Sequence, residues 1–132
     1  MTTVDEKTTE VAPRKLDFTR ALGENIEELW ERVVDVQKKV FGVTWPRNKD
    51  GLTQKYIQLL QEECSEVLRT TDFKPHKKPT RIESEREEER ASEIADLLIY
   101  LLALAAVHWD SASEFIAWAM VKMDENDGKG DW

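Results

Sequence analysis

An apolar run from Leu97 to Val107 limits the possible folds of this 132-residue chain more than any other feature. With the acidic segment before it, the run predicts one helix from about Ser84 to His108. Because the run is apolar on every side of that helix, it must be covered all round, by the rest of a bundle or by a second subunit. In a chain this short we expect a second subunit. The run is well short of the ~20 apolar residues that span a bilayer.

Apolar residues at helical spacing predict three further helices and no strand. They run from about Thr19 to Phe41, from Leu52 to Arg69, and from Ser111 to Asp124, and the last opens with a capping box of Ser111 and Glu114. Loops rich in Gly, Pro or basic residues separate the helices at 42–51 and 74–81, and an irregular tail begins at Asn126. We therefore expect an all-α fold, a four-helix bundle subunit that assembles into a dimer or tetramer.

Composition and charge argue against several classes of protein. Residues 1–16 are polar and are expected to form a disordered N-terminal tail, which leaves 17–132 as a single domain. The net charge of −8 argues against a nucleic-acid or anionic-membrane binder, because both need an excess of Lys and Arg. Cys64 has no second cysteine to pair with, and the first residues have no apolar core of a signal peptide. These features predict a cytoplasmic protein.

Two of the predicted helices carry acidic residues where their apolar stripes continue. The stripe of the second helix runs into Glu63 and Glu66 near the end of that helix. The stripe of the third helix begins with Glu93 and Asp96 before it becomes apolar. If the two helices pack antiparallel, burial of the apolar parts brings the four carboxylates into one partly dehydrated cleft. The acidic run Glu85 to Glu89 is expected to form a solvated surface instead.

Four neighbouring carboxylates repel one another and lose solvation, at a cost on the order of several kcal/mol. Raised pKa values offset part of that cost, and a bound divalent cation offsets it more fully. Because the candidate ligands are all oxygen, the sequence predicts Mg²⁺ or Mn²⁺. Zinc is a poor match, since the chain has one Cys and two histidines, His76 and His108. Neither histidine belongs to the Glu-x-x-His pair of a di-iron bundle.

The two acidic segments together resemble motifs of a known family. Glu62-Glu-Cys-Ser-Glu66 matches the EExxE motif, and Glu93-Ile-Ala-Asp96 the ExxD motif, of the MazG-like all-α nucleoside triphosphate pyrophosphohydrolases. Three further segments are most similar to the dCTP pyrophosphatase branch: 96–106, Pro46-Arg-Asn48 and Lys122-Met-Asp-Glu-Asn126. The resemblance extends over roughly Leu22 to Asn126. It implies Mg²⁺-dependent hydrolysis of nucleoside triphosphates, with dNTPs expected, to the monophosphate and pyrophosphate by a homodimer or homotetramer.

The resemblance also implies roles for matching positions. The metal ligands would be Glu63, Glu66, Glu93 and Asp96. Glu62 matches a position proposed in some members to activate the attacking water, and Lys122 would stabilise charge on the pyrophosphate leaving group. Lys122 and Asn126 match positions that touch triphosphate or sugar, Tyr100 matches a residue near the sugar, and Trp45 lies in a loop that presents aromatic side chains to the base.

Two further substrate contacts are expected, one from the helical pattern and one from a departure from the family's sequence. Gln37 lies inside the apolar stripe of the first helix, where it is either a satisfied core amide or a group that reads a base edge. The family often has Arg after the Asn of the fourth helix, whereas this chain reads Asp127-Gly-Lys129, so Lys129 would replace it as a point charge. The basic loop 74–81 is either a soluble loop or a lid over the phosphates.

Two other functions remain open. Phosphoribosyl-ATP pyrophosphohydrolases have similar acidic motifs, but the Trp-containing first helix and the Lys-Met-Asp-x-Asn segment favour the first family. A non-catalytic helical dimer could instead use the acidic cleft to bind a cation or a partner. The sequence does not identify the base.

Overall fold

A computed structural model of the chain describes residues 26–71 and 83–130. These residues form four α-helices and no β-strand, which confirms the all-α prediction: α1 (Ile26–Phe41), α2 (Lys49–Arg69), α3 (Glu83–His108) and α4 (Ala112–Lys129). The expected N-terminal tail 1–16, the first turns of the first predicted helix and the basic loop 74–81 lie outside the described residues.

Two helix boundaries differ from prediction because of capping. α2 begins at Lys49 rather than Leu52, since the Asn48 side chain accepts a hydrogen bond from the Gly51 N–H (3.1 Å). A Cβ at position 51 would lie 2.5 Å from Asn48 Nδ2, so this cap requires glycine. The prediction of an irregular tail from Asn126 is wrong, because α4 continues to Lys129 and ends at Gly130, whose φ of 64° is left-handed.

The helices α2 and α3 pack antiparallel, and hydrogen bonds at both ends fix their register. Thr53 near the start of α2 is hydrogen-bonded to His108 at the end of α3 (Oγ1–Nε2, 2.8 Å). Arg90 near the start of α3 donates to Thr70, the residue after α2. The acidic end of α2 therefore lies beside the acidic end of α3, as their apolar stripes predict.

The hydrophobic core is built around the second half of α3. Leu102 and Val107 are almost completely buried there, together with Tyr56 of α2 and Trp30 of α1. The remaining core residues are Val33, Trp45, Ala103, Ala105, Ala106 and Ala112. Because the core lies at this end, the carboxylates at the other end of α3 remain within reach of solvent.

Large apolar side chains remain exposed on α3 and α4. On α3 they are Ile94, Leu98, Ile99 and Leu101, and on α4 they are Ile116, Trp118, Met120, Val121 and Met123. One subunit therefore covers only part of the apolar surface that the sequence places on α3. By length and composition alone, α3 is also long and apolar enough to cross a membrane.

A carboxylate of α1 holds the N-terminus of α4. Glu27 accepts hydrogen bonds from the N–H groups of Ala112 (3.1 Å) and Ser113 (2.8 Å) and from the Ser113 hydroxyl. The Ser113 hydroxyl is the main reason that the pKa of Glu27 is lowered, and the two N–H groups add to it, while burial partly opposes them. The predicted cap is also present, since Ser111 Oγ accepts from the Glu114 N–H (3.3 Å).

Candidate metal centre

Three of the four predicted ligands lie together. Glu63 of α2 and Glu93 and Asp96 of α3 each contribute one carboxylate oxygen, and the three oxygens all lie within 4.8 Å of one another. The three residues are partly buried. They meet because each continues an apolar stripe that the antiparallel packing of α2 and α3 covers.

Among the residues that the structure describes, no basic side chain compensates the charge of this cluster. Glu63 Oε1 is buried and has no hydrogen-bond donor. Burial raises the pKa of Glu63, and so do, in decreasing order, the negative charges of Asp96, Glu93 and Glu66. A hydrogen bond between Glu63 and Asp96 adds to the rise, but it requires one of the two carboxyl groups to be protonated. In the described part of the chain, no Lys, Arg or His forms an ion pair with any of the three.

The donor set fits a hard divalent cation. All three groups are carboxylates, the preferred ligands of Mg²⁺ and Mn²⁺, and the unpartnered Glu63 oxygen is a buried acceptor that a cation would satisfy. Partial exposure leaves room for water and phosphate oxygens beside the protein ligands. Such open positions are typical of magnesium sites that act on phosphates.

Glu66 and Glu62 lie near the group of three carboxylates but do not belong to it. Glu66 lies one turn further along α2, and Arg69 donates to its carboxylate (2.8 Å), so its oxygens do not join the group of three. Its side chain is 46% exposed. Glu62 is exposed on the flank of α2, next to Glu63 but about 100° round the helix.

Tyr100 lies beside the carboxylates. Burial raises its pKa, and the negative charges of Glu63, Asp96 and Glu62 raise it further. Its position one turn after Asp96 on α3 accounts for this proximity. Tyr100 is thus the predicted substrate residue that the subunit places closest to the candidate ligands.

Tyr56 is a buried polar side chain near Tyr100. Tyr56 is 1% exposed and donates to Gln37 Oε1 (2.5 Å). Burial raises the pKa of Tyr56, the nearby Trp45 N–H lowers it in part, and Tyr100 raises it. Trp45 Nε1 is buried and has no hydrogen-bond partner among the described residues.

The structure places Gln37 and Trp45 in the core, although both were predicted to contact substrate. Gln37 is 8% exposed and Trp45 5% exposed. Gln37 also lines a groove of about 610 Å³ formed by α1 and Ile99 of α3. Gln37 is therefore accessible from this groove, whereas the Trp45 side chain is almost completely covered.

One subunit does not bring the predicted residues of α4 to the carboxylates. Lys122 is exposed and lies 3.7 Å from Glu125, and Lys129 is exposed at the end of the helix. Asn126 is partly buried. In the described residues α4 packs on α1 and α3 but not on α2. None of the three side chains forms a hydrogen bond or ion pair with the candidate ligands.

Sequence reasoning missed a polar link near the cluster. Arg90 Nε donates to Thr70 Oγ1 (3.0 Å), and Arg90 Nη2 donates to the Thr70 carbonyl (2.9 Å). The position of Arg90 could have indicated this contact, because Arg90 lies three residues before Glu93 on the stripe that faces α2.

Comparison of the chain with known protein families, curated proteins and solved structures gave no match. The carboxylate cluster and the two acidic motifs are the features of the chain that indicate a function.

Proposed function

We propose that the protein is a magnesium-dependent enzyme of the MazG-like type, which hydrolyses nucleoside triphosphates to the monophosphate and pyrophosphate. The observation that supports it most is the group formed by Glu63, Glu93 and Asp96 on two facing helices. Three carboxylates of an EExxE and an ExxD motif, with no compensating basic side chain among residues 26–71 and 83–130, need a divalent metal more than an isolated acidic patch does.

In this proposal Glu63, Glu93 and Asp96 would hold Mg²⁺, and Glu66 would be available as a further ligand if its carboxylate left Arg69. Bound Mg²⁺ would neutralise phosphate charge and make water easier to deprotonate. The triphosphate would then lie along the acidic ends of α2 and α3.

The chain's residues then carry out the transfer. Water attacks the α-phosphorus, the bond between that phosphorus and the oxygen bridging to the β-phosphorus breaks, and pyrophosphate leaves. Glu62 accepts the proton of the attacking water, since it is exposed next to Glu63 without belonging to the ligand group. Lys122 neutralises the charge that develops on pyrophosphate.

The nucleoside extends towards Tyr100 and the groove that Gln37 lines. Tyr100 would contact the sugar, because its phenol lies beside Glu63 and Asp96. Gln37 and, after rearrangement, Trp45 face the base. Asn126 and Lys129 contribute contacts to the triphosphate or sugar.

A second copy of the chain is part of the proposal. The exposed apolar side chains of α3 and α4 form the surface that a dimer or tetramer would bury. A neighbouring copy would also supply Lys122 and Asn126, because α4 of one subunit does not pack on its own α2. Burial against a second copy, rather than in a membrane, agrees with a cytoplasmic protein.

The test is pyrophosphate release from a panel of canonical and modified nucleoside triphosphates with Mg²⁺. Asp96→Asn removes a charged ligand and should abolish release. Asp110→Asn makes the same charge change at an exposed position between α3 and α4 and should leave release unchanged. No release from any nucleotide by a protein that binds the metal would instead favour a non-catalytic cation-binding oligomer.

A further inference from the structure

We infer that Arg90 is a positioning residue, which holds the carboxylate-bearing ends of α2 and α3 at the separation that divalent metal binding needs. The inference rests on the proposed metal site. It assigns to Arg90 a role that neither acidic motif includes, because Arg90 lies outside both.

The contacts of Arg90 form a two-point clamp on a single residue. Its Nε donates to the Thr70 hydroxyl oxygen (3.0 Å) and its Nη2 donates to the Thr70 carbonyl (2.9 Å). Thr70 is 1% exposed, and its hydroxyl in turn donates to the Val67 carbonyl (2.6 Å). The clamp therefore joins α3 to the end of α2, where a helix has carbonyls without partners inside the helix.

The clamp lies close to the carboxylates without touching them. Arg90 is three residues before Glu93, or about 4.5 Å along α3 at a rise of about 1.5 Å per residue. Thr70 is seven residues after Glu63, or about 10 Å along α2. The bond between Thr53 and His108 joins the same two helices at the opposite end.

The position matters because this end of the helix pair is under repulsion. One carboxylate oxygen of Glu63 lies within 4.8 Å of an oxygen of Glu93 and of Asp96, so like charges push α2 and α3 apart in the absence of a cation. The last turn of a helix also opens more easily than its centre. A guanidinium bonded to both oxygens of Thr70 opposes that separation, and a lysine, with one compact ammonium, cannot make the same fork.

A substitution that removes the Arg90 charge distinguishes a positioning role from a simple electrostatic effect on cation binding. By Coulomb's law, loss of a positive charge near three carboxylates should tighten the binding of a cation. If Arg90 sets the helix separation, its loss should weaken binding instead. The two explanations therefore predict changes of opposite sign.

The experiment is Mn²⁺ binding by calorimetry and electron paramagnetic resonance, without substrate, on the full chain. The variants are Arg90→Met, Arg90→Lys and Thr70→Val, with circular dichroism to confirm folding. Arg90→Met and Arg90→Lys should each weaken Mn²⁺ binding by roughly tenfold, the low end of the effect of residues that support metal ligands. Thr70→Val should weaken it less, because the Thr70 carbonyl still accepts from Arg90.

Arg86→Met is the matched control. Arg86 lies one turn before Arg90 on α3, is also mostly buried, and forms an ion pair with Glu83 of the same helix. Arg90 also lies 3.9 Å from Glu83, so the control shows what the loss of an arginine beside Glu83 does by itself. Arg86→Met should bind Mn²⁺ as tightly as the wild type, or slightly more tightly.

Binding by Arg90→Met and Arg90→Lys that equals or exceeds the wild type would overturn the inference. If Arg90→Met does not fold, Mn²⁺ binding by Arg90→Lys and Thr70→Val tests the inference instead. Weaker binding than the wild type supports it, and equal or tighter binding overturns it. Wild-type protein that binds no Mn²⁺ would overturn both the inference and the proposed metal site. A wild type that binds Mn²⁺, with weakened Arg90 variants, but releases no pyrophosphate would contradict the proposed function alone.

Discussion

Glu63 is the side chain whose environment differs most from that of an ordinary surface carboxylate. An acid whose pKa is raised by folding binds its proton more tightly in the folded protein than in the unfolded chain. The metal-free protein therefore has the full contribution of this group below the ordinary carboxyl pKa, and loses it as the pH rises through the raised pKa of Glu63. In the proposed site a divalent cation would replace the proton at neutral pH.

Glu63→Gln should accordingly raise the Tm of the metal-free protein near neutral pH and remove the increase in Tm that Mg²⁺ produces in the wild type. The amide relieves the repulsion but supplies no charged ligand. Glu85→Gln, an equal charge change at an exposed position of α3, controls for the net charge of the chain. Thermal denaturation with and without Mg²⁺ measures both effects. A lower metal-free Tm for Glu63→Gln than for the control would contradict the proposed repulsion.

A second pair of substitutions separates metal binding from proton transfer. Glu62→Gln should leave Mn²⁺ affinity nearly unchanged while turnover falls by roughly two to four orders of magnitude, the usual span of general acid–base catalysis. Asp96→Asn should lose both Mn²⁺ affinity and turnover. Calorimetry and steady-state kinetics on the two variants measure the difference. Equal loss of metal affinity would make Glu62 a ligand, and full activity of Glu62→Gln would place the base elsewhere.

Side-chain positions could be predicted from sequence where they follow from helical periodicity. Glu63, Glu93 and Asp96 meet because each continues an apolar stripe, and a stripe can be read from residue spacing. Glu66 lies on the same stripe but bonds to Arg69, a competing local contact that the stripe does not reveal. The Arg90–Thr70 clamp could not be predicted, since it depends on the register between two helices, and burial of Trp45 depends on the packing of a loop.

A carboxylate cap joins the helices α1 and α4, in addition to the contact between the Trp30 and Phe115 rings. Glu27 binds the first N–H groups of α4, where the helix dipole favours a negative charge. The pKa of Glu27 is lowered, above all by the Ser113 hydroxyl, so its contribution to stability is present above the ordinary carboxyl pKa and is lost as the pH falls through the lowered value. The cap joins residues 85 positions apart, which sequence spacing does not indicate.

Glu27→Gln should increase amide hydrogen exchange at Ala112 and Ser113 and lower the Tm at neutral pH. The neutral amide accepts hydrogen bonds more weakly and loses the favourable interaction with the helix terminus. Glu31→Gln, one turn further along α1 and exposed, is the control with the same charge change. Exchange rates at the two amides that stay at the wild-type value would show that the cap does not hold α4.

The subunit as a whole leaves a large apolar surface uncovered. The sequence predicts that α3 needs cover on every side, and the structure covers mainly its second half, around Leu102 and Val107. Light scattering should therefore give a multiple of the 15.4 kDa subunit mass. Trp118→Glu, which places a charge on a side chain that is 60% exposed on α4, should lower that mass. A subunit mass of 15.4 kDa for the wild type at working concentration would contradict the proposed assembly.

The most direct measurement is the identity of the products, followed by phosphorus NMR in water labelled with heavy oxygen. With a deoxynucleoside triphosphate and Mg²⁺, the proposed mechanism predicts nucleoside monophosphate that carries the label and pyrophosphate that does not, because water attacks the α-phosphorus. Excess EDTA should stop the reaction, and added Mg²⁺ should restore it. Products of nucleoside diphosphate and inorganic phosphate, or full activity in EDTA, would contradict the proposed reaction at Glu63, Glu93 and Asp96.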